Sequence, residues 1–358
     1  MLRHVSFSLL LLISLVGAQP VKAQWFKSVL QEVSDLRLEA RGDWQNDSRT
    51  ESARGFKGSY LNFVLAGTIG KHFAYAYRQR LNKFSKSSSF FDATDWLYLS
   101  YSPVKSLTFS AGKQVVAIGG YEYDRAPINL YFTSEFWYNI PCYQWGGSAE
   151  YAIPGGNDAL KVQVGQSPFH AFYDHGHMYG YHLMWSGRHG IWSTIWSANL
   201  MEYAPNKYMS YLSFGNQFQF GRKVKLYFDF LNRAASHQTF LFKDCTLVGE
   251  VAYTPIEQLN LFAKTSYDVN KTHTDADLLV HRGTELTRVG GGVEFYPLKN
   301  RAVRVHADYA YAWGTNTNDE GTIRNNQSFV NVGVTWNIDF LNIRFKKKSA
   351  PKSEPSHE

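Results

Sequence analysis

The chain has 358 residues, with 37 Lys and Arg against 30 Asp and Glu, a formal net charge of +7 and only two Cys. So mild a basic excess does not argue for nucleic acid, and two cysteines are too few for a disulfide framework. Mean hydropathy is −0.33 while aromatic residues reach 16%. That pairing suits aromatic girdles at two membrane interfaces around a polar lumen, although secreted sandwiches and carbohydrate-binding proteins share it.

The N-terminus reads as a signal peptide over residues 1–23. Arg3 gives a positive start, Phe7 to Val16 an apolar run too short to span, and Val21-Lys22-Ala23 small residues at −3 and −1. Loss of Arg3 and Lys22 with that peptide takes the net charge from +7 to +5. No Cys follows the cleavage point, so no lipid anchor is expected. Residues 24–34 read as a short periplasmic segment, with Phe26, Val29, Leu30 and Val33 spaced for an amphipathic helix. Nothing downstream reaches 18 consecutive apolar residues. A secreted chain of this kind is either soluble or spans as a closed barrel.

From residue 35 to 340 one pattern repeats. In Leu36-Arg37-Leu38-Glu39-Ala40-Arg41-Gly42-Asp43-Trp44 the even positions are apolar, small or aromatic, and the odd ones are charged. A strand sends successive side chains to opposite faces. One face here suits hydrocarbon and the other needs water, the split of a membrane barrel strand. Sixteen such segments follow, near 35–45, 59–69, 72–81, 95–101, 106–114, 144–153, 159–165, 179–186, 191–199, 208–220, 224–232, 246–253, 259–268, 286–296, 302–313 and 328–340. Their connections alternate between tight Gly, Pro and Asn turns, such as Gly70-Lys71, and longer polar loops, such as Asn46 to Gly58. The fold expected is an all-β transmembrane antiparallel barrel of about 16 strands, wide enough for an aqueous channel. Trp96, Trp185, Trp192, Trp313 and Trp336 are the candidates for the aromatic girdles.

The connection from Val115 to Tyr143 differs in kind. It is the third external loop, and it is rich in apolar residues that an exposed loop would place poorly. Folding inward against the barrel wall would cover them. So would packing over the barrel mouth or into a subunit interface.

At this loop, Phe109-Ser110-Ala111-Gly112-Lys113-Gln114, Tyr123-Asp124-Arg125 and Pro127-Ile128-Asn129 resemble porins of the phosphate-selective O and P type, in the branch found in Bacteroidetes. The resemblance covers most of the mature chain in layout and specific residues around 107–153. It implies a sixteen-stranded outer-membrane channel, usually a homotrimer, narrowed by its third loop. The family's anion specificity rests on a ladder of lumen arginines plus cations in that loop, and this chain carries a mixed version.

Reading each segment by parity turns Arg37, Arg41, Arg78, Arg80, Lys161, Lys225, Lys264, Arg288 and Arg304 inward, with Glu39, Asp43, Glu150, Asp229, Glu250, Glu294 and Asp308. Nine bases against seven acids make a weakly cationic lining, and such residues can also brace the wall by pairing across strands. Arg125, with Asp124 and Glu122 beside it, is the candidate for the constriction. Lys113 falls on the lipid-facing parity, so it lies beyond the membrane or its strand is bulged.

The expected function is passive diffusion of small hydrophilic solutes through a water-filled channel with a modest preference for anions, phosphate being left open. The alternatives are a closed structural or adhesive barrel and a barrel hydrolase. The chain carries no recognisable nucleophile motif, so no catalytic residue and no cofactor are expected. Membrane lipid, lipopolysaccharide and small anionic solutes are the expected partners, and nucleic acid is not. His170, His175, His177 and His182 with Asp174 form a polar His-rich stretch that could hold a metal. Cys142 and Cys245 both fall near external strand ends, where an oxidising setting permits a bridge. Residues 341–358, opening on Lys346-Lys347-Lys348, read as a disordered periplasmic tail.

Overall fold

A computed structural model of the chain describes residues 32–49, 54–83, 89–172, 177–235, 241–273 and 278–342. The signal peptide, nearly all of the N-terminal helix expectation, His175, Asp174 and the basic tail lie outside those residues. Val33 opens the first strand rather than closing a helix.

Sixteen strands follow in chain order: β1 (Val33–Asp47), β2 (Gly55–Ile69), β3 (Phe73–Arg80), β4 (Thr94–Val104), β5 (Leu107–Val115), β6 (Tyr143–Ala152), β7 (Asp158–Gln166) and β8 (Tyr179–His189). Then come β9 (Trp192–Ala204), β10 (Lys207–Phe220), β11 (Val224–Ala235), β12 (Asp244–Ile256), β13 (Leu259–Asn270), β14 (Glu285–Phe295), β15 (Val303–Thr315) and β16 (Gln327–Asp339). Each pairs antiparallel with its neighbours, and β1 pairs with both β2 and β16, which closes the sheet into a barrel. Closure gives every strand two partners and leaves no edge, the condition for strands to cross hydrocarbon.

The register separates the two faces. On one, Leu99, Phe109, Val164, Leu183, Phe228, Val289, Tyr309 and Val332 stand exposed. On the other, Arg41, Asn62, Arg78, Ser213, Asp229, Lys264, Asp308 and Asn331 are buried. All sixteen wall charges named from parity keep that inner register; Arg41, for example, lies opposite Thr335 and Lys264 opposite Glu250. Leu65 lies on the outer parity and Thr68 on the inner, paired with Tyr77 and Ala74 respectively.

Two expectations need correction. Connections at the external end are not uniformly long: Pro205 and Asn206 alone join β9 to β10, with Asn206 at φ 58° in a tight turn. Pro fixes its own φ and Asn tolerates the left-handed region, so two residues suffice. Trp96 does not belong to an outer girdle. It pairs with Arg78, whose guanidinium lies 3.7 Å from the ring centroid, and the β3–β4 register shifts between Arg78 and Gln79. Trp96 shares the inner parity of Tyr98 and Ser100, so strict alternation already turns it inward, and the irregularity adds Asp95 to the same polar layer. Trp185, Trp192, Trp313 and Trp336 do keep the outer register.

An apolar cluster joins the connection between β5 and β6 to wall strands and neighbouring loops. Val116, Ile118, Tyr123, Phe136 and Ile140 pack with Phe169, Met201, Met209, Tyr211 and Leu231. The apolar residues of the long connection are therefore covered by the wall and by neighbouring loops.

Candidate functional site

The connection 116–142 between β5 and β6 bonds in turn to residues of β7, β9, β10 and β11. It begins with backbone bonds. Gln163 of β7 accepts from the Ala117 N–H at 2.7 Å, Ser197 of β9 from Gly119 at 2.8 Å, and Ser213 of β10 donates to the Gly119 carbonyl at 2.6 Å. The backbone passes so close because the facing residue has no side chain. A Cβ on Gly215 would lie 2.6 Å from the Gly120 Cα, and Gly120 itself has φ +112°. Asp229 of β11 then accepts from the Tyr121 and Glu122 amides at 2.8 and 2.7 Å, at the start of α1 (Tyr121–Asp124).

Farther on, the wall supplies donors. Arg41 donates to the Leu130 carbonyl at 2.6 Å, Arg304 to Ile128 at 3.0 Å, Arg288 to Thr133 at 3.3 Å and Lys264 to Phe132 at 3.1 Å. Ser134 caps α2 (Glu135–Asn139), and Asp268 of β13 accepts from the Glu135 amide at 2.9 Å. A carboxylate there meets both free N–H groups and the positive end of the turn. The Glu135 carboxylate in turn accepts from the Thr322 and Ile323 amides at 2.9 and 2.8 Å, tying the connection to the external loop 316–326.

Most charges named from the sequence are paired. Arg125 forks onto both oxygens of Glu250 at 2.9 Å and lies over the Tyr227 ring. Glu122 is buried, ion-paired to Lys264 at 2.7 Å and bonded to Ser134. Arg37 bridges Asp35 and Glu39, Arg41 holds Asp43, and Arg304 holds Glu294. Arg78 and Arg80 share one carboxylate, Asp95, each at 2.7 Å. Asp124 is exposed, as is Lys225. Lys161, Lys225 and Arg288 make no ion pair among the described residues; Lys161 faces Glu150 across the β6–β7 register. Lys113 does lie on the outer parity, opposite Leu97 and Trp145, and its Nζ turns to the Phe91 carbonyl at 2.7 Å.

Two cavities flank the connection. The smaller, about 50 Å³, is lined by Arg125, Tyr131, Phe132, Glu250, Phe262, Lys264 and Glu294, two bases against two acids. The larger, about 1050 Å³, lies toward β1–β6 and the external mouth. Arg41, Arg49, Lys57, Arg80, Lys83 and Lys113 line it against Asp47, Asp92 and Asp95. Six bases against three acids leave it cationic.

Residues 35–191 match the sequence profile of a family described as phosphate-selective porin O and P. Over that stretch, somewhat less than half of the chain, the sequence is similar to this family. No curated protein sequence matches it. Among solved structures, OmpT of Vibrio cholerae superposes with a TM-score of 0.61 at 13% identity, covering 86% of this chain and 97% of that one. The anion-selective porin from Comamonas acidovorans gives 0.57 at 11% identity, with 86% and 99% covered. A mutant Rh. blastica porin gives 0.54 at 12% identity, with 86% and 100% covered. At such identities the likeness concerns the fold. The partial family match and the closed barrel together support an outer-membrane porin of a Gram-negative bacterium.

The porin's site includes residues that sequence reasoning missed. Asp95, Glu135, Asp268, Arg233 with Asp244 at 2.8 Å, and His306 with Asp43 at 2.8 Å all belong to the inner network. Asp268, Asp244 and His306 keep strand parity and could have been read inward; Glu135 sits in a short helix whose burial no periodicity signals. Among the described residues no group of three His, Cys, Asp or Glu could hold a metal. His182 is bonded to Asn199 at 3.1 Å, and His170 lines the large cavity. Cys142 and Cys245 are free thiols, and burial pushes the Cys142 thiol up to about 11.

Proposed function

We propose that the porin passes small hydrophilic anions along the β1–β6 side of its lumen, with segment 116–142 lying in the lumen as the constriction. Support comes chiefly from the charge difference between the cavities. Near the large one a cation loses solvation and meets like charge, whereas an anion gains partial compensation. Lys57 is the proposed selectivity residue, in a lining that also carries Arg80, held by Asp95, and Lys113, bonded to the Phe91 carbonyl. Arg125, whose charge is matched by Glu250, has the secondary role of holding the segment. Phosphate is one anion that this lining would accept. The smaller cavity, with its charges balanced, would contribute little.

A closed structural barrel is the competing reading, favoured by the number of strands that the segment bridges. The deciding test is conductance and reversal potential of purified protein in a planar bilayer under a KCl gradient. Anion selectivity, weakening as salt rises because a wet lumen is screened within about 10 Å at 0.1 M, supports the proposal. Cation selectivity sinks the charge reading, and absence of conductance favours the closed barrel. A homotrimer in the membrane is likewise proposed. A neighbouring structure, OmpT of Vibrio cholerae, is described as a trimer form, and chemical cross-linking of the purified porin would test it.

A further inference from the structure

The large cavity carries more than charge. Eight aromatic rings line it among the described residues. Several brace one another or the segment: Tyr131 stacks on Phe262 at 5.5 Å and donates to Glu294, and Phe91 meets Trp145 edge-on at 5.7 Å. Tyr60 of β2 does neither. Tyr60 is half-buried, and among the described residues its ring has no aromatic partner and its hydroxyl no hydrogen bond within the chain. Its charged neighbours are Arg41, whose guanidinium lies 5.9 Å from the ring centroid, Arg80 and Asp43. Three residues earlier on the same strand, Lys57 is exposed and lines the same cavity, with no ion pair among the described residues.

An inorganic anion needs neither a ring nor so large a space. A cavity of about 1050 Å³ lies at the upper end of sites that enclose a drug-sized organic ligand, about 300–1,000 Å³. A cation beside a ring with no aromatic partner suits a solute with a carboxylate at one end and an apolar ring face at the other. We propose that this porin prefers ring-bearing organic anions of the uronate type, the carboxylate meeting Lys57 and the ring face meeting Tyr60. This rests on the anion-channel reading above and narrows it to a solute class.

The test compares sodium glucuronate with sodium gluconate in planar bilayers of the purified full chain. Both are monoanions of nearly equal mass; one is closed into a ring and the other is open. Permeability relative to chloride should be about threefold higher for glucuronate, the factor expected of one weak ring contact. Tyr60→Leu should bring the two together, Tyr60→Phe should keep the difference, and Tyr98→Leu, an inner-face tyrosine outside the cavity lining, should also keep it. Equal permeabilities in the unmodified porin would overturn the proposal whether or not any variant folds, as would a preference that survives Tyr60→Leu. Reversal potentials in KCl on the same membranes separate the two failures. Cation selectivity there would remove the anion reading itself, whereas anion selectivity with equal permeabilities would remove the ring preference alone.

Discussion

The two sides of the barrel use the same residue types to opposite effect. On the β9–β15 side, Asp229, Glu250, Lys264, Asp268, Arg288 and Arg304 are each spent on the connection 116–142 or its charges. On the β1–β6 side, Arg80 is held by Asp95 and Lys113 by the Phe91 carbonyl, but Lys57, exposed and in no ion pair among the described residues, adds to a surplus of positive charge around an open cavity. A charge on the inner parity is thus not by itself a selectivity element. What matters is whether a backbone carbonyl or a carboxylate already occupies it. Surplus charge facing water keeps its field within a screening length, whereas a buried matched pair presents little field.

Breaking the matched side should cost most. Glu122→Ala leaves the Lys264 ammonium buried without its partner and strips two bonds from Ser134. Loss of about 3–5 kcal/mol is expected for one member of a buried pair, read as a lower urea midpoint for unfolding of the purified barrel. An unchanged midpoint would mean that the pair is hydrated. The faces can be tested separately. Val332→Arg, on the exposed outer face, should cost about 2–4 kcal/mol if it lies near the midplane, and Thr68→Arg, on the inner face, much less. Equal costs would contradict the face assignment.

Smaller effects should appear in conduction. Gly215→Val places a side chain where the Gly120 backbone passes, so it should push the segment off β10 and raise single-channel conductance without abolishing it. Arg125→Ala should change selectivity least of all, because it unmasks one carboxylate, Glu250, beside the smaller cavity. The double variant Arg125→Ala/Glu250→Ala should restore the original reversal potential. A large change from Arg125→Ala alone would move the selectivity filter to the matched side.

The barrel was legible from the chain because period-two alternation is enforced twice, by lipid outside and water within. Leu36 to Trp44 shows both demands in nine residues. Strand count and inner register follow from that pattern, and the parity of Arg41, Lys264 and Arg304 was readable in advance. Pairing was not. Whether Arg125 faces water or Glu250 depends on two segments 125 residues apart meeting across the barrel. Trp96 misled because its residue type suits a girdle while its parity, shared with Tyr98 and Ser100, points inward; the shift in the β3–β4 register hid only Asp95. The two-residue β9–β10 turn was hidden because Pro and Asn suit long loops as well as tight ones. Lys57 escaped notice because it stands in a Gly-rich stretch, Gly55-Phe56-Lys57-Gly58, that reads as loop.

The difference between the two sides is tested most directly by the reversal potential of the purified porin across a KCl gradient, measured for the unmodified chain, Lys57→Glu and Arg125→Gln. Anion selectivity that Lys57→Glu weakens or reverses, with a much smaller shift from Arg125→Gln, is the result expected if the open side sets selectivity. A larger shift from Arg125→Gln than from Lys57→Glu would contradict it.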